Sequence, residues 1–170
     1  DWGLWGLKIH PLETHYQINN PRIINPVLDR LTQLQKQVNR RLFLFIHAAG
    51  DTLNNSPEAV ADIARQYPDL LFIASHSGYK WAAPTVAHTM AALPNVMLDL
   101  TTMAAKACME ECYRKYGAKK FCAGSDGPFA SVGVKNAIVR DLAANDEEYE
   151  LILGGNLARE LGIPKIRSDG

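Results

Sequence analysis

Three short apolar runs in this chain end in the same residue. Leu7-Lys8-Ile9-His10 stops at Pro11, Leu42 to His47 reads LFLFIH, and Leu70 to His76 reads LLFIASH. Each is too short for a helix, and the second and third are almost unbroken in bulky side chains, the pattern of strands buried on both faces. The stretches between them have helical spacing. Ile24, Val27, Leu28, Leu31, Leu34 and Val38 mark a helix over Pro21 to Val38, with Pro26 near its start, where proline is tolerated. Ser56-Pro57 supplies the cap and first-turn proline of another, whose inward stripe is Val60, Ile63, Ala64 and Tyr67.

The alternation continues to the end of the chain. Gly3 to His10 is expected to be the first strand. Pro84 to Leu93 reads as a short helix, Val96 to Leu100 as a strand, and Thr101 to Tyr116 as a helix stopped by Gly117. Lys119 to Gly124 reads as a last strand, and Val134 to Ala144 and Glu147 to Leu161 as helices. Five strands separated by helices predict βαβ units and a parallel sheet, an α/β fold. The arrangement is either an open doubly wound sheet or part of a (β/α)8 barrel. No glycine-rich phosphate loop follows any of the five strands, which removes the usual support for a nucleotide-binding open sheet.

Composition narrows the function classes. The 170 residues carry 18 Lys and Arg against 18 Asp and Glu, interspersed, so there is no electrostatic footprint for a phosphate backbone and nucleic acid is not an expected partner. No apolar stretch is long enough to span a bilayer and the first residues do not read as a signal peptide, so the expectation is a cytoplasmic protein with no membrane partner. Cys108, Cys112 and Cys122 are an odd number without the spacing of a zinc site, and read as free, partly buried thiols.

The strand ends carry the chemistry. In parallel βα architectures all C-terminal strand ends open onto one face, and active sites are built there. His10, His47 and His76 close strands, and the last strand runs into Gly124-Ser125-Asp126. Imidazoles and a carboxylate brought together are a donor set for zinc, iron or manganese, and a catalytic centre keeps one position open for water, which a metal acidifies. His15 and His88 read as solvated. Asp99 reads by default as a cap for the helix after it, and Lys8 as outward-facing or paired, with an inward metal-holding role the minor option.

These pieces, in this order, resemble the amidohydrolase superfamily, in particular the amidohydrolase-related branch that includes aminocarboxymuconate-semialdehyde and resorcylate decarboxylases. The resemblance runs from Gly3 to Gly162. It is carried by G-L-K-I-H-P, F-I-H47, A-S-H76-S-G, P-N-V-M-L-D99, G-S-D126-G-P-F and I-L-G-G-N156-L-A-R-E-L-G, which match the family's strands four to eight and the segment after them.

The resemblance implies a (β/α)8 TIM-barrel-like fold of which this chain covers strands four to eight. It implies that His47 and Asp126 are ligands of a divalent metal, zinc being the expected ion. His76 is then a general acid/base in mononuclear members or a ligand of a second ion in binuclear ones, and Asp126 doubles as a proton-transfer group. His10 and Tyr79 fall in the substrate pocket, Tyr79 standing where many relatives have a second glycine after the histidine. The family's His-x-His pair on its first strand is absent from these residues. A full barrel needs about 250 residues, so strands one to three are expected in a longer product or a second chain, or are lost in a reduced relative. The expected activity is hydrolysis of an amide, ester or lactone by metal-activated water. The alternatives are nonoxidative decarboxylation of an aromatic or unsaturated carboxylate, with Lys80 or Arg22 as the cation, and a non-catalytic half-barrel. The exposed sheet edge of such a half-barrel invites a homodimer or a complementing N-terminal segment.

Overall fold

The computed structural model describes residues 3–79, 82–86, 88–102 and 105–164. Five strands, β1 (Gly6–Ile9), β2 (Phe43–His47), β3 (Leu71–Ser75), β4 (Val96–Asp99) and β5 (Phe121–Cys122), form one parallel sheet in the order β1-β2-β3-β4-β5. A doubly wound sheet reverses its strand order at a switch point; sequential order without reversal is the winding of a barrel arc. The burial of the two faces agrees. Leu44, Ile46, Phe72, Ala74, Leu98 and Phe121 point to one side. There they share a core with Ile24 and Leu28 of α1 (Pro21–Val38), Val60 and Ile63 of α2 (Pro57–Gln66), Met109 of α4 (Lys106–Tyr116) and Val139 of α5 (Val132–Leu142). Those helices therefore lie on one face, as in a barrel's outer ring. The opposite face is the smaller cluster of Leu71, Ile73, Met97 and Cys122, flanked by Trp5, Phe43 and Phe45.

Helix limits follow their caps. Asn20 accepts from the Arg22 N–H at the start of α1, and Asn39 in the left-handed region ends it. Ser56 accepts from the Ala59 N–H to start α2, with Pro57 in the first turn. Elsewhere the elements are shorter than the sequence predicts. Lys119 and Lys120 belong to a 3-10 turn, leaving β5 with Phe121–Cys122. The Pro84 to Leu93 stretch is divided into α3 (Ala83–Val86) and a 3-10 turn at Met90–Ala92. The last helix is interrupted by a π turn, Leu151–Gly155, between α6 (Asp146–Glu150) and α7 (Asn156–Leu161), at the two glycines that weaken helix most.

The interruption lets α7 turn across the lower end of the arc. The Asn156 amide, fully buried, donates to the carbonyls of Ala118 and Phe121 at the entry to β5. Glu160 pairs with Arg41 just before β2, and Leu157 and Leu161 pack on the inner-face cluster. The N-terminal end of the sheet is thereby plugged, and the C-terminal end is left open.

Among the described residues no helix is long and apolar enough to cross a membrane. All three cysteines are free; burial pushes the Cys112 thiol up to about 12 and that of Cys122 well above the usual value, so neither is a reactive thiolate.

Candidate active site

His47 is the last residue of β2, and His76 follows β3 directly. Parallel pairing in register, His47 opposite Ser75, brings these strand ends side by side, and His10 stands one residue past β1. The three imidazoles meet. The rings of His10 and His47 stack at 3.8 Å with 16° between planes, and those of His47 and His76 meet edge to face at 4.8 Å. Three of the five residues expected from the sequence to form the site are thus in contact, drawn from three successive strands.

Hydrogen bonds set which nitrogen of each ring is available. His76 Nδ1 lies 3.3 Å from the Thr101 carbonyl and 3.0 Å from the Thr102 hydroxyl. A carbonyl only accepts, so Nδ1 carries the proton and the Nε2 lone pair is free. His47 Nε2 faces the Asp51 carboxylate at 3.4 Å, and Asp51 is itself held by the Asn55 amide at 2.8 Å. That places the proton of His47 on Nε2 and its lone pair on Nδ1. His10 Nδ1 accepts from the Glu13 N–H. Burial, reinforced by repulsion from His10 and His76, pushes His47 below the usual imidazole value against the opposing pull of Asp51, so the ring is neutral near pH 7.

Asp126 lies four residues past β5, exposed, with φ 57°. Its carbonyl accepts from the N–H groups of Phe129 and Ala130, which folds the segment after it into a turn. Among the described residues no hydrogen bond or ion pair joins its carboxylate to the histidines, and no three His, Cys, Asp or Glu side chains stand close enough together to hold a metal ion. Tyr79 closes the turn after β3, its N–H donating to the His76 carbonyl at 2.6 Å. Lys80 lies outside the described residues. Arg22 is exposed in the first turn of α1.

Two residues read as bystanders belong here instead. Asp99 does not cap the following helix: α4 begins at Lys106 with Ala105 before it. Its register with Cys122 turns it to the inner face, where it is 1% exposed and its Oδ2 has no hydrogen-bond partner. Burial raises its pKa, opposed by the Thr101 hydroxyl, His76 and the N–H groups of Thr101 and His76. Gly124 is what admits it, since a Cβ there would stand 2.8 Å from Asp99 Oδ1 and 2.3 Å from the Thr101 hydroxyl. Lys8 also faces inward, its ammonium 4.3 Å from the centroid of the Phe45 ring. The signal available in the sequence for Lys8 was strand parity: counted in steps of two from the strand-end histidine, Lys8 shares a face with His10.

Left-handed backbone gathers at the same end. His76, Ser77, Tyr79, Thr102 and Asp126 have φ between 44° and 65°, an unfavourable region for residues with a Cβ, sustained where the surrounding structure holds it. Ser77 shows how: its hydroxyl donates to the Asp99 carbonyl at 2.8 Å, locking the turn after β3 onto β4.

The comparisons agree with this geometry. The amidohydrolase family model matches residues 2–163. No curated protein matches the chain. Among solved structures, an uncharacterised TIM-barrel protein from Bordetella bronchiseptica is 18% identical, with a TM-score of 0.76 over 95% of this chain and 58% of that one. The 5-carboxyvanillate decarboxylase of Sphingomonas paucimobilis is 17% identical, with a TM-score of 0.63 over 95% and 59%. An amidohydrolase from Bifidobacterium longum subsp. infantis is 15% identical, with a TM-score of 0.56 over 78% and 53%. At these identities the likeness is one of fold, and the chain spans between 53% and 59% of the length of these three. A single-wound arc of five parallel strands is what that share of a (β/α)8 barrel contains. The chain belongs to the amidohydrolase family.

Proposed function

We propose that this chain is the C-terminal part of a metal-dependent hydrolase barrel, corresponding to strands four to eight, in which His47 and His76 hold a divalent metal and Asp126 completes the site. The observation that supports it is the pair of oriented imidazoles: His47 keeps Nδ1 free and His76 keeps Nε2 free, each with its other nitrogen engaged by a fixed partner. That is how ligating histidines are held. Two imidazoles, each with a free lone pair, fit the metal as part of a coordination sphere. The remaining donors would come from the barrel strands that precede these five.

A divalent metal bound there supplies Lewis acidity toward a carbonyl oxygen and toward water; zinc is the ion we propose, since nitrogen and carboxylate donors suit it. The chain's own residues do the rest. Asp126, exposed at the mouth, takes the proton from the attacking water and returns it to the leaving group. Where His76 is not a metal ligand, its free Nε2 lone pair accepts a proton. His10 walls the site by stacking on His47, and Tyr79 borders the pocket. The substrate is a small molecule with an amide, ester or lactone group. Decarboxylation of an aromatic or unsaturated carboxylate is the second reading, favoured by a cation inside the arc. The unpaired edge of β1, flanked by exposed Leu4, Leu7, Ile23 and Val27, is covered by the missing barrel strands or by a second copy.

Metal content of the intact purified protein, with His47→Ala and Asp126→Asn beside it, tests the assignment. Stoichiometric metal that falls in both variants is expected, and unchanged content in both would overturn it. Release of carbon dioxide from a panel of aromatic carboxylates separates the two reactions. A metal-free, stable, monomeric protein would leave the non-catalytic half-barrel.

A further inference from the structure

A group of cations lies at the opposite end of the sheet from the histidines. Lys119 and Lys120 belong to the 3-10 turn that enters β5. A cavity of about 320 Å³ is lined there by both lysines, by Tyr116 at the end of α4, by Arg159 and Glu160 of α7, and by Pro94 before β4. Lys119 and Arg159 are exposed, whereas Lys120 is only 9% exposed. The one carboxylate, Glu160, is shared between Arg41 and Arg159, and among the described residues Lys119 forms no ion pair. The cavity is therefore cationic on balance, with an amine in its wall.

That amine is held but not saturated. Lys120 Nζ donates to the Leu93 carbonyl and stands 5.9 Å from the centroid of the Tyr116 ring, so among the described residues one of its three N–H groups has a hydrogen-bond acceptor. Burial, reinforced by the neighbouring charge of Lys119, brings its pKa down to about 8 against the pull of Cys112 and Glu160. A lysine that sheds its proton this readily is a nucleophile near neutral pH, the usual way a desolvated amine is activated. The acylated product suits the same place. An amide keeps one N–H for the Leu93 carbonyl and removes the buried charge.

We propose that Lys120 is a modification site that takes the acyl group of a small acyl phosphate, with Lys119 and Arg159 drawing the phosphate into the cavity. The Nζ lone pair forms a bond to the acyl carbon, the bond from that carbon to the phosphate oxygen breaks, and the pair leaves on the phosphate, which also takes the proton the amine gives up. The products are an amide and inorganic phosphate. Two features favour this donor over an uncharged one. Cations beside the nucleophile stabilise a leaving group that departs as an anion, and the volume is at the small end of the range for ligand cavities, enough for a short acyl phosphate. The site stands apart from the histidines and does not depend on a metal. It lies at the foot of β5, the two-residue strand that leads at its other end to Asp126.

The test uses the intact protein with acetyl phosphate as the probe, peptide mass spectrometry to follow each lysine, and circular dichroism as the check on folding. At pH 8, Lys120 should be acetylated about fivefold or more faster than Lys36 and Lys115, both exposed. Its rate should level off above pH 8, whereas an exposed lysine reacts faster up to about pH 10. The titratable and charged groups facing it are Cys112 and Tyr116 of α4, Lys119 of its own turn, and Arg159 and Glu160 of α7; the Cys112 thiol, pushed up to about 12, stays protonated throughout. The second arm compares acetyl phosphate with uncharged 4-nitrophenyl acetate. Lys119→Met should lower the ratio of the two Lys120 rates about threefold or more, since only the charged donor uses that cation. Acetylation of Lys120 no faster than that of Lys36, or a rate ratio unchanged in Lys119→Met, overturns the proposal.

Discussion

The two ends of this sheet are built to different rules. At the N-terminal end, buried polar groups are mostly tied down, the Nε of Arg40 being the exception. Asn95, 4% exposed, donates to the carbonyls of Ala64, Tyr67 and Leu70 at 2.9, 3.1 and 3.2 Å. Asn156 spans two carbonyls at 2.9 Å each, and the Lys120 ammonium donates to Leu93. At the C-terminal end, Asp99 Oδ2 is buried without a partner, Lys8 contacts only a ring face among the described residues, two imidazoles keep a lone pair free, and five residues hold left-handed backbone. Polar groups left unsatisfied cost stability. One end uses its polar groups to hold strands together, and the other leaves several of them without a protein partner among the described residues.

The comparison breaks most sharply under substitution. Asp126→Asn should lower kcat by about two to four orders of magnitude, the usual range for a lost proton-transfer group, while the melting temperature stays within a few degrees because the side chain is exposed and bonded to none of the histidines. A large fall in melting temperature would make Asp126 structural. Asn156→Ala should do the reverse, costing about 2–3 kcal/mol by stranding two buried carbonyls and leaving kcat per folded molecule unchanged; denaturant titration and active-site titration read the two effects.

Lys120 sharpens the contrast through pH. Burial lowers its pKa to about 8 from the usual lysine value of 10.5. The unfolded lysine then binds more protons than the folded one between those values, so this group makes stability rise as pH increases from 8 to 10.5, and its full penalty is present below 8. The rise should be on the order of 3 kcal/mol. Urea midpoints across that window should flatten in Lys120→Met; an unaltered slope would show that the ammonium is well solvated. The smallest effect belongs to Ser56→Ala, the loss of the α2 cap, expected at about 1 kcal/mol with no change in KM, even though α2 begins on the loop that follows His47.

Much of this was legible in the sequence. Continuous apolar runs located β2 and β3 because a strand buried on both faces has no polar alternation to disguise it, and Ser56-Pro57 and Asn20 marked helix starts because caps are local. The strand-end histidines were legible for the same reason. Less visible were elements whose limits depend on packing across the sheet. Lys119 and Lys120 look like strand but form a turn, because Lys120 is drawn to the Leu93 carbonyl. The helix read over Glu147 to Leu161 hides a π turn at Gly154 and Gly155 that redirects α7 under the arc.

By itself the sequence determined the alternation of strands and helices, the family, and the histidines that end three strands, since these depend on local pattern and on residue identity. Only the tertiary structure decided that the sheet is singly wound, that the three imidazoles touch with particular nitrogens free, and that Asp99 and Lys8 face inward. Those properties come from pairing register between segments tens of residues apart, and a one-residue shift would turn each of these side chains to the opposite face.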